Sequence, residues 1–283
     1  MRSNDDSVTV RKFDAAWKAR FEELGEIDNP EYQKASYVSE EFFSRRELFI
    51  RHLIKELLCS IATSPEKVSN CLDVGCGSGL YTKMIHDHHI AIQGVDYAKS
   101  LIEKATIAYP NIHFQKADAY SLPFLDGTFD SVISLGLLPC IGDWRKAITE
   151  MYRVLRPGGI AIIEMNRRFS KVEKIVRGVN WLVRKKKGFR DVMDFLQSDH
   201  ISFSSSCEAK THAVKEIVGV LRDFDIAEII VHDPSKFLFF HEWFWAISFT
   251  KNFESKGSPR FPNIRGCPSC QRSGKWQLKP SRI

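Results

Sequence analysis

Apolar residues recur at two different spacings along the chain, and the change of spacing marks its organisation. Near the N-terminus, four apolar side chains follow one another at intervals of three or four: Phe13, Trp17, Phe21 and Leu24. The segment from 42 to 58 keeps one apolar face in the same way. This period is typical of amphipathic helices that bury one face. Two helices are therefore predicted before residue 60.

From residue 70 onward, short apolar runs alternate with helical segments. Five runs have the composition of strands: CLDVG, AIQGVD, IHFQKAD, FDSVISL and GIAIIEM. Strands that alternate with helices build a parallel sheet with helices on both faces. Two further strands are predicted at 226–232 and 243–250, and we expect them to be antiparallel neighbours at one edge. The pattern predicts an α/β protein.

The same pattern divides the chain into three parts. Residues 1–60 carry the two helices, 61–252 carry the alternating domain, and 253–283 form a basic tail without apolar periodicity, which we expect to be flexible. Within the domain, 166–208 departs from the rhythm, because its apolar residues keep helical spacing while lysines and arginines lie largely off that face. We interpret 166–208 as an inserted helical lid.

Composition and charge narrow the class of protein. Apolar residues make up 43% and charged residues 27% of the 283 residues, which excludes a disordered, collagenous or disulfide-stapled chain. No uninterrupted apolar run of about 18 residues occurs, so no transmembrane segment is predicted. The N-terminus lacks the layout of a secretory signal. We therefore expect a cytoplasmic protein with reduced cysteines.

The net charge of +6 lies in the tail. Residues 253–283 contain seven basic residues and one acidic residue, so the rest of the chain is neutral. This placement leaves nucleic acid open as a partner that the tail would attract. The basic stretch from Lys171 to Lys187 is either a solvated surface of the lid or a face for an anionic acceptor or lipid headgroups, which would allow peripheral membrane contact.

The strongest chemical signal is the sequence LDVGCGSG at 72–79, where a strand runs into a glycine turn that opens a helix. Glycines at alternate positions let a ligand pass close to the backbone, and the helix start offers unpaired N–H groups to an anionic end. The next two strands end in Asp96 and Asp118. A carboxylate at the end of the second strand can accept both hydroxyls of a ribose.

Five segments in this order resemble one family: LDVGCGSG, GVDYA, KADAYSLPF, DGTFDSVIS and MYRVLRPGGIAIIE. They are similar to class I S-adenosylmethionine-dependent methyltransferases, in the small-molecule and quinone-type branch (methyltransferase type 11-like). The resemblance is dense over 70–165. It implies a Rossmann-like, doubly wound, seven-stranded sheet, mostly parallel with an antiparallel last strand. It also implies S-adenosyl-L-methionine as cofactor, S-adenosyl-L-homocysteine as product, and N-terminal helices that cap the cofactor site.

The resemblance implies a set of ten cofactor-binding residues: Asp73, Gly75, Cys76, Gly77, Asp96, Tyr97, Asp118, Ala119, Ser134 and Leu135. Asp73, Gly75 and Gly77 would surround the methionine part of the donor. Cys76 would lie there as a small packing residue. The carbonyl region of 134–135 would approach the sulfonium. Without the resemblance, the glycines could simply make a tight turn.

The nucleoside part of the donor is assigned to the ends of the second and third strands. Asp96 would bind the ribose, Tyr97 would lie against the adenine, and Asp118 with Ala119 would meet the adenine edge. Two structural alternatives stay open. Asp96 could cap the helix that starts near Ala98, and Tyr97 could be an ordinary core residue.

The chain departs from the family after the fourth strand. Many relatives carry a histidine there, but residues 137–141 read LLPCI. Methyl transfer needs a general base only when the acceptor keeps its proton at the working pH. His200 or His241 could serve, although each is also typical of a surface or packing histidine. No catalytic residue is assigned.

No metal site is expected. The run from His86 to His89 fits the end of a helix, whose dipole favours imidazolium. Cys267 and Cys270 have the spacing of half a zinc site, but a structural zinc ion needs four ligands and no second pair follows. Those two cysteines either stay uncommitted in the tail or share a zinc ion with other residues.

These observations favour an enzyme that transfers a methyl group to an oxygen, nitrogen or carbon atom of a small-molecule or lipid-like metabolite. Two alternatives remain. One is an RNA methyltransferase tethered by its basic tail, and the other is a non-catalytic scaffold that binds S-adenosylmethionine. The identity of the acceptor is not encoded in any motif, because acceptor choice would depend on the N-terminal helices and the lid.

Overall fold

A computed structural model of the chain describes a set of separate ranges: 3–27, 40–62, 70–166, 201–202, 208–209, 214–232, 244–252 and 263–266. Most of the predicted lid, both cysteines of the CxxC pair, His200 and His241 lie outside the described residues. Within those ranges, no helix is long and apolar enough to cross a membrane.

The described ranges contain six α-helices: α1 (Ser3–Glu26), α2 (Glu40–Ala62), α3 (Leu80–His86), α4 (Lys99–Ala108), α5 (Trp144–Val154) and α6 (Val214–Leu221). A short 3-10 helix spans Leu138–Cys140. The helices α1 and α2 confirm the two amphipathic patterns at the N-terminus. Asp143 caps α5, since its side chain accepts a hydrogen bond from the Lys146 N–H.

The strands within the described ranges are β1 (Asn70–Val74), β2 (Ala91–Asp96), β3 (His113–Lys116), β4 (Phe129–Leu135), β5 (Leu155–Asn166), β6 (Ile201–Ser202), β7 (Glu208–Ala209), β8 (Ile226–His232), β9 (Phe244–Lys251) and β10 (Asn263–Gly266). β6 pairs only with β7. The other eight form one sheet in the order β3-β2-β1-β4-β5-β9-β8-β10. β9 is antiparallel to β5 and β8, and the other pairings are parallel.

Helices cover both faces of the sheet, as the alternating pattern predicts. On β4, Val132 packs in a cluster that contains Met151 of α5 and Leu221 of α6. The adjacent Ile133 packs in a second cluster, with Leu53 of α2 and Ile85 of α3. Because successive side chains of a strand point to opposite faces, the two clusters are the two layers of core.

The strand order reverses at β1. The chain moves outward from β1 through β2 to β3, and it then returns to the other side of β1 as β4. In open sheets of this kind, the loops that follow the two strands at the reversal separate and leave a crevice. The glycine turn after β1 and the loop after β4 are therefore placed to form a binding site.

The expectation that β8 and β9 lie at one edge of the sheet was wrong. β8 and β9 are antiparallel neighbours as predicted, but they do not form the edge, because β10 pairs in parallel with residues 228–231 of β8. The sheet therefore has an eighth strand, from within 253–283, where only a tail was expected. Four residues with one strongly apolar member, Ile264, give no periodicity to read. Pairing also satisfies backbone N–H and C=O groups that β8 would otherwise present at an open edge.

Candidate active site

A cavity of about 170 Å³ opens at the carboxyl ends of β1, β2 and β4. A single water needs about 10 to 15 Å³ of such space, so the cavity has room for a larger ligand. Eight of the ten predicted site residues line it: Gly75, Cys76, Gly77, Asp96, Tyr97, Asp118, Ala119 and Leu135. Asp73 and Ser134 are absent from its wall.

The glycine turn leaves one position open to the cavity. Gly75, Gly77 and Gly79 all have positive φ angles, of 80°, 54° and 83°. A Cβ atom on Gly75 would lie 3.0 Å from Leu137, and one on Gly79 would lie 2.7 Å from the Phe114 ring. A Cβ atom on Gly77 would meet nothing within 4 Å. Gly79 is therefore needed for packing, whereas Gly77 is the point where a ligand can approach the backbone.

Asp96 connects the end of β2 to the glycine turn. Its Oδ2 accepts a hydrogen bond from the Gly77 N–H at 2.9 Å, and its Oδ1 accepts one from the Ala98 N–H at 2.9 Å. Burial raises the pKa of Asp96, these two N–H groups oppose that rise, and the charge of Glu22 adds to it. A carboxylate oxygen can accept more than one hydrogen bond, so Asp96 keeps capacity for a hydroxyl ligand.

The alternative roles of Asp96 and Tyr97 do not fit the geometry. The first N–H groups of α4 are capped from α1, since the Glu22 carboxylate accepts from Lys99 N at 2.8 Å and from Ser100 N at 2.9 Å. Asp96 therefore does not cap the first N–H groups within α4, although it accepts from the Ala98 N–H just before the helix. Tyr97 is 39% exposed, which is too much for a core residue.

Asp73 and Ser134 support the site from behind its wall. The Thr82 hydroxyl donates to Asp73 Oδ2 at 2.6 Å, and the Ser134 hydroxyl donates to the Val74 carbonyl at 3.0 Å. Asp73 is only 2% exposed. Burial raises the pKa of Asp73 to about 7, Thr82 opposes the rise, and the charge of Asp96 adds to it.

An Asp73→Asn protein is expected to gain stability over the wild type as the pH rises. The pKa of Asp73 is about 7 in the folded chain and about 3.9 in an unfolded one. Between these values the folded state holds a proton that the unfolded state has released, so wild-type stability falls with rising pH through this window. Asparagine has no such proton, and its oxygen still accepts from Thr82. Urea denaturation at about pH 4 and pH 8 measures the gap.

Asp87→Asn is the matched control for this prediction. Asp87 is an exposed residue whose pKa is lowered by a hydrogen bond from the Lys83 ammonium. Its carboxylate stabilises the folded state above the unfolded pKa, so its removal should lower stability at pH 8 relative to pH 4, the opposite direction. If the difference in unfolding free energy between Asp73→Asn and the wild type were equal at the two pH values, it would contradict the burial of an ionisable Asp73.

The sequence interpretation placed the N-terminal helices over the cofactor site, but it missed the polar residues by which α1 takes part. Asp14, Lys18 and Glu22 lie at intervals of four residues, on one face of α1. Asp14 is 8% exposed and accepts hydrogen bonds from the Tyr120 hydroxyl at 3.0 Å and the Gly142 N–H at 2.6 Å. Burial would raise the pKa of Glu22, but the N–H groups that it caps outweigh burial and lower it. The spacing was visible, yet charges four residues apart are usual on solvated helix faces.

A buried ion pair forms another part of the wall that the sequence did not reveal. Arg46 of α2 donates from Nε to Glu164 Oε1 at 3.0 Å and from Nη2 to Oε2 at 2.7 Å. The two side chains are 3% and 1% exposed. Arg46 Nη1 also donates to the Tyr81 hydroxyl at 3.3 Å. Arg46 and Tyr81 both line the cavity. The one available signal was a glutamate inside the apolar run GIAIIEM.

The loop after β4 supplies the apolar side of the cavity. Leu137, Pro139, Cys140 and Ile141 all line it, and the lining residues within the described ranges include no histidine. Burial holds the pKa of Cys76 well above its usual value, which fits a packing residue. Among the described residues, no cluster of three or more possible metal ligands occurs.

The fold and the cavity are those of the open α/β sheets, a class of protein that binds nucleotide-like ligands where the strand order reverses. Residues 72–163 match the family model described as a methyltransferase domain. The chain is 34% identical over 110 residues to the O-methyltransferase cnsE of Penicillium expansum. The aligned region covers 36% of this chain and 40% of that protein. Residues 72–163 are thus similar to the methyltransferase domain of class I S-adenosylmethionine-dependent enzymes of the small-molecule type.

Two further comparisons agree with this assignment. The chain is 32% identical over 127 residues to the demethylmenaquinone methyltransferase of Staphylococcus haemolyticus, covering 42% of this chain and 50% of that protein. The crystal structure of the PH0226 protein from Pyrococcus horikoshii aligns with a TM-score of 0.53 at 20% identity, over 76% of this chain and 92% of that one, a likeness of fold alone. The chain thus spans two fifths to one half of the lengths of these two curated relatives.

Proposed function

We propose that the protein is an enzyme that transfers the methyl group of S-adenosyl-L-methionine to an oxygen, nitrogen or carbon atom of a small-molecule or lipid-like acceptor. The observation that carries this proposal is the cavity at the strand-order reversal. It brings the open glycine, Gly77, together with Asp96, Tyr97 and Asp118 from the neighbouring strand ends. S-Adenosyl-L-homocysteine would be the product.

The residues present fit the donor. Gly77 offers a surface that a Cβ atom would otherwise occupy, and nothing else lies within 4 Å of that position. Asp96 would hold the ribose hydroxyls, while Asp118 and Tyr97 would receive the adenine. Gly75 and the end of β4 at Leu135 would border the methionine part. Asp73 and Ser134 would keep β1 and β4 in place behind these contacts.

The donor supplies an already activated methyl group, so the protein has to exclude water and hold an acceptor in line with the bond that breaks. Apolar side chains suit this task. Trp17 and Phe21 of α1 face the cavity together with Leu137 and Ile141 after β4. An apolar acceptor fits such a lining, in line with the curated relative named for demethylmenaquinone.

An Asp96→Ala protein is expected to bind S-adenosyl-L-homocysteine more weakly by about 1.5 to 3 kcal/mol, because it loses charge-assisted hydrogen bonds to the ribose. Isothermal titration calorimetry of the folded variant measures the loss. Asp96→Asn should lose less, since its amide oxygen can still accept one bond. Asp87→Ala removes an exposed carboxylate just after α3 and serves as the control. An unchanged affinity in folded Asp96→Ala would contradict the ribose assignment.

Transfer itself is tested by incubating the protein with methyl-labelled donor and a cell extract. The proposal expects label in the small-molecule or lipid fraction with the wild type and far less with Asp96→Ala. Label in RNA would instead support the tethered RNA enzyme, and donor binding without label in any fraction would support a scaffold. The same assay on a protein without its basic tail would show whether the tail attracts RNA. That protein should end after Gly266 and not where the predicted tail begins at residue 253, because β10 belongs to the sheet.

A further inference from the structure

We propose that Lys18 of α1 binds the methyl donor, with its ammonium group hydrogen-bonded to the adenine ring nitrogen next to the amino group while Asp118 accepts from that amino group. The proposal rests on the proposed function, because it names a further contact of the same donor. It assigns to the N-terminal helix a direct chemical contact with the ligand, in addition to covering the cavity.

Lys18 lies at the place where the adenine is expected. Its Nζ is 3.6 Å from the centroid of the Tyr97 ring and 3.7 Å from Asp118 Oδ2. All three residues line the cavity. The contact joins α1 to both residues that the family resemblance gives to the adenine, although neither is near α1 in the sequence.

The orientation of the Asp118 carboxylate is fixed on the side away from Lys18. Its Oδ1 accepts from the Tyr120 N–H at 2.9 Å, and Oδ2 is the oxygen near the ammonium. At 3.7 Å the two groups form an ion pair, but the distance is longer than a hydrogen bond, so each keeps hydrogen-bonding capacity for a ligand. An acceptor and a donor of opposite charge thus stand side by side at the cavity wall.

Lys18 is also held from both directions along α1. One turn before it, Asp14 binds Tyr120 and Gly142, and one turn after it, Glu22 caps α4. These contacts attach α1 to the start of α4 and to the loops that follow β3 and β4. A lysine between two such anchors keeps its position relative to the cavity, whereas a lysine on a free helix would not.

Adenine matches this pair of groups. Its amino group is a donor, and its unsubstituted ring nitrogens are acceptors, so one base can satisfy a carboxylate and an ammonium at the same time. A competing interpretation is that Lys18 covers the Tyr97 ring and must leave before the adenine can stack there. Lys116 Nζ, 5.0 Å from the same ring, adds a second cation from β3. The competing interpretation predicts that removing the Lys18 charge would tighten binding.

Lys18→Met keeps most of the length of the side chain and removes the charge. The expected result is about 5- to 20-fold weaker binding of S-adenosyl-L-homocysteine, at or below the lower end of the range for a hydrogen bond to a charged group, because Lys18 is partly exposed. Calorimetry of the full chain provides the measurement. Lys99→Met, at an exposed lysine that pairs with Glu103 on α4, is the matched control and should bind like the wild type.

A second ligand separates a contact with adenine from a general effect of charge. In S-inosyl-L-homocysteine a carbonyl replaces the amino group and the adjacent ring nitrogen carries a proton, so Asp118 would face an acceptor and Lys18 would face a donor, which exchanges the arrangement that adenine offers. The wild type should bind it weakly, and Lys18→Met should weaken it less than twofold. Lys18→Arg, which restores a cationic donor, should recover part of the affinity for the adenine ligand.

The outcomes distinguish the two proposals. If the folded wild type does not bind S-adenosyl-L-homocysteine, the proposed function fails. If the wild type binds but Lys18→Met binds equally well or more tightly, the role of Lys18 is wrong while the proposed function stands. An equal loss for the adenine and inosine ligands would also overturn the adenine contact. Thermal melting of each variant shows whether it is folded. If Lys18→Met does not fold, the affinity of Lys18→Arg for the adenine and inosine ligands tests the contact in its place.

Discussion

An Arg46→Ala protein is expected to lose about 3 to 5 kcal/mol of unfolding free energy, because removing one partner of a buried ion pair leaves the other as an uncompensated charge. Glu164 is 1% exposed and receives both of its short hydrogen bonds from Arg46. Urea denaturation at neutral pH measures the loss. The pair joins α2 to the end of β5 and Arg46 lines the cavity, so the variant should also have a larger cavity.

Two variants show whether the buried charge is the cause. Arg51→Ala, also on α2, removes an exposed arginine that pairs with Glu47 one turn away, and it should lose less than about 1 kcal/mol. The double variant Arg46→Met, Glu164→Leu removes both charges, and it should recover most of the stability. If Arg46→Ala were as stable as Arg51→Ala, the pair would not be a buried interaction in solution.

The central sheet was predictable because its strands are buried on both faces. Residues 71–74 and 160–165 are apolar except for Asp73 and Glu164, and glycine or proline turns mark where these runs end or begin. Asp96 and Asp118 were predictable for a related reason. In a parallel sheet the carboxyl ends of the strands share one edge, so an acid that ends a strand lies at the binding crevice.

The missed residues owe their roles to pairing across the chain. Arg46 and Glu164 are 118 positions apart, and Asp14 and Tyr120 are 106 apart. Local periodicity places Arg46 and Asp14 on the polar sides of helices, where solvent is the usual neighbour. The sequence pattern of either helix does not show that its polar side faces another part of the protein. β10 was missed for the same reason, because its partner β8, and not its own four residues, makes it a strand.

A Gly77→Val protein is expected to lose detectable binding of S-adenosyl-L-homocysteine while it still folds. Its side chain would project into the space where a Cβ atom has no neighbour within 4 Å, which is the space that the donor needs. The φ angle of 54° makes any residue with a side chain strained, at a cost of about 1 to 2 kcal/mol. Calorimetry measures the binding, and thermal melting measures the cost to the fold.

Gly79→Val reverses the two effects and is therefore the control. A Cβ atom there would lie 2.7 Å from Phe114 and 3.1 Å from Tyr109, so this variant should be destabilised more than Gly77→Val although the two glycines have similar backbone strain. The difference between the variants isolates the ligand contact, because both add the same side chain to the same turn. Wild-type affinity in Gly77→Val would mean that the glycine turn has only a structural role and that the donor binds elsewhere.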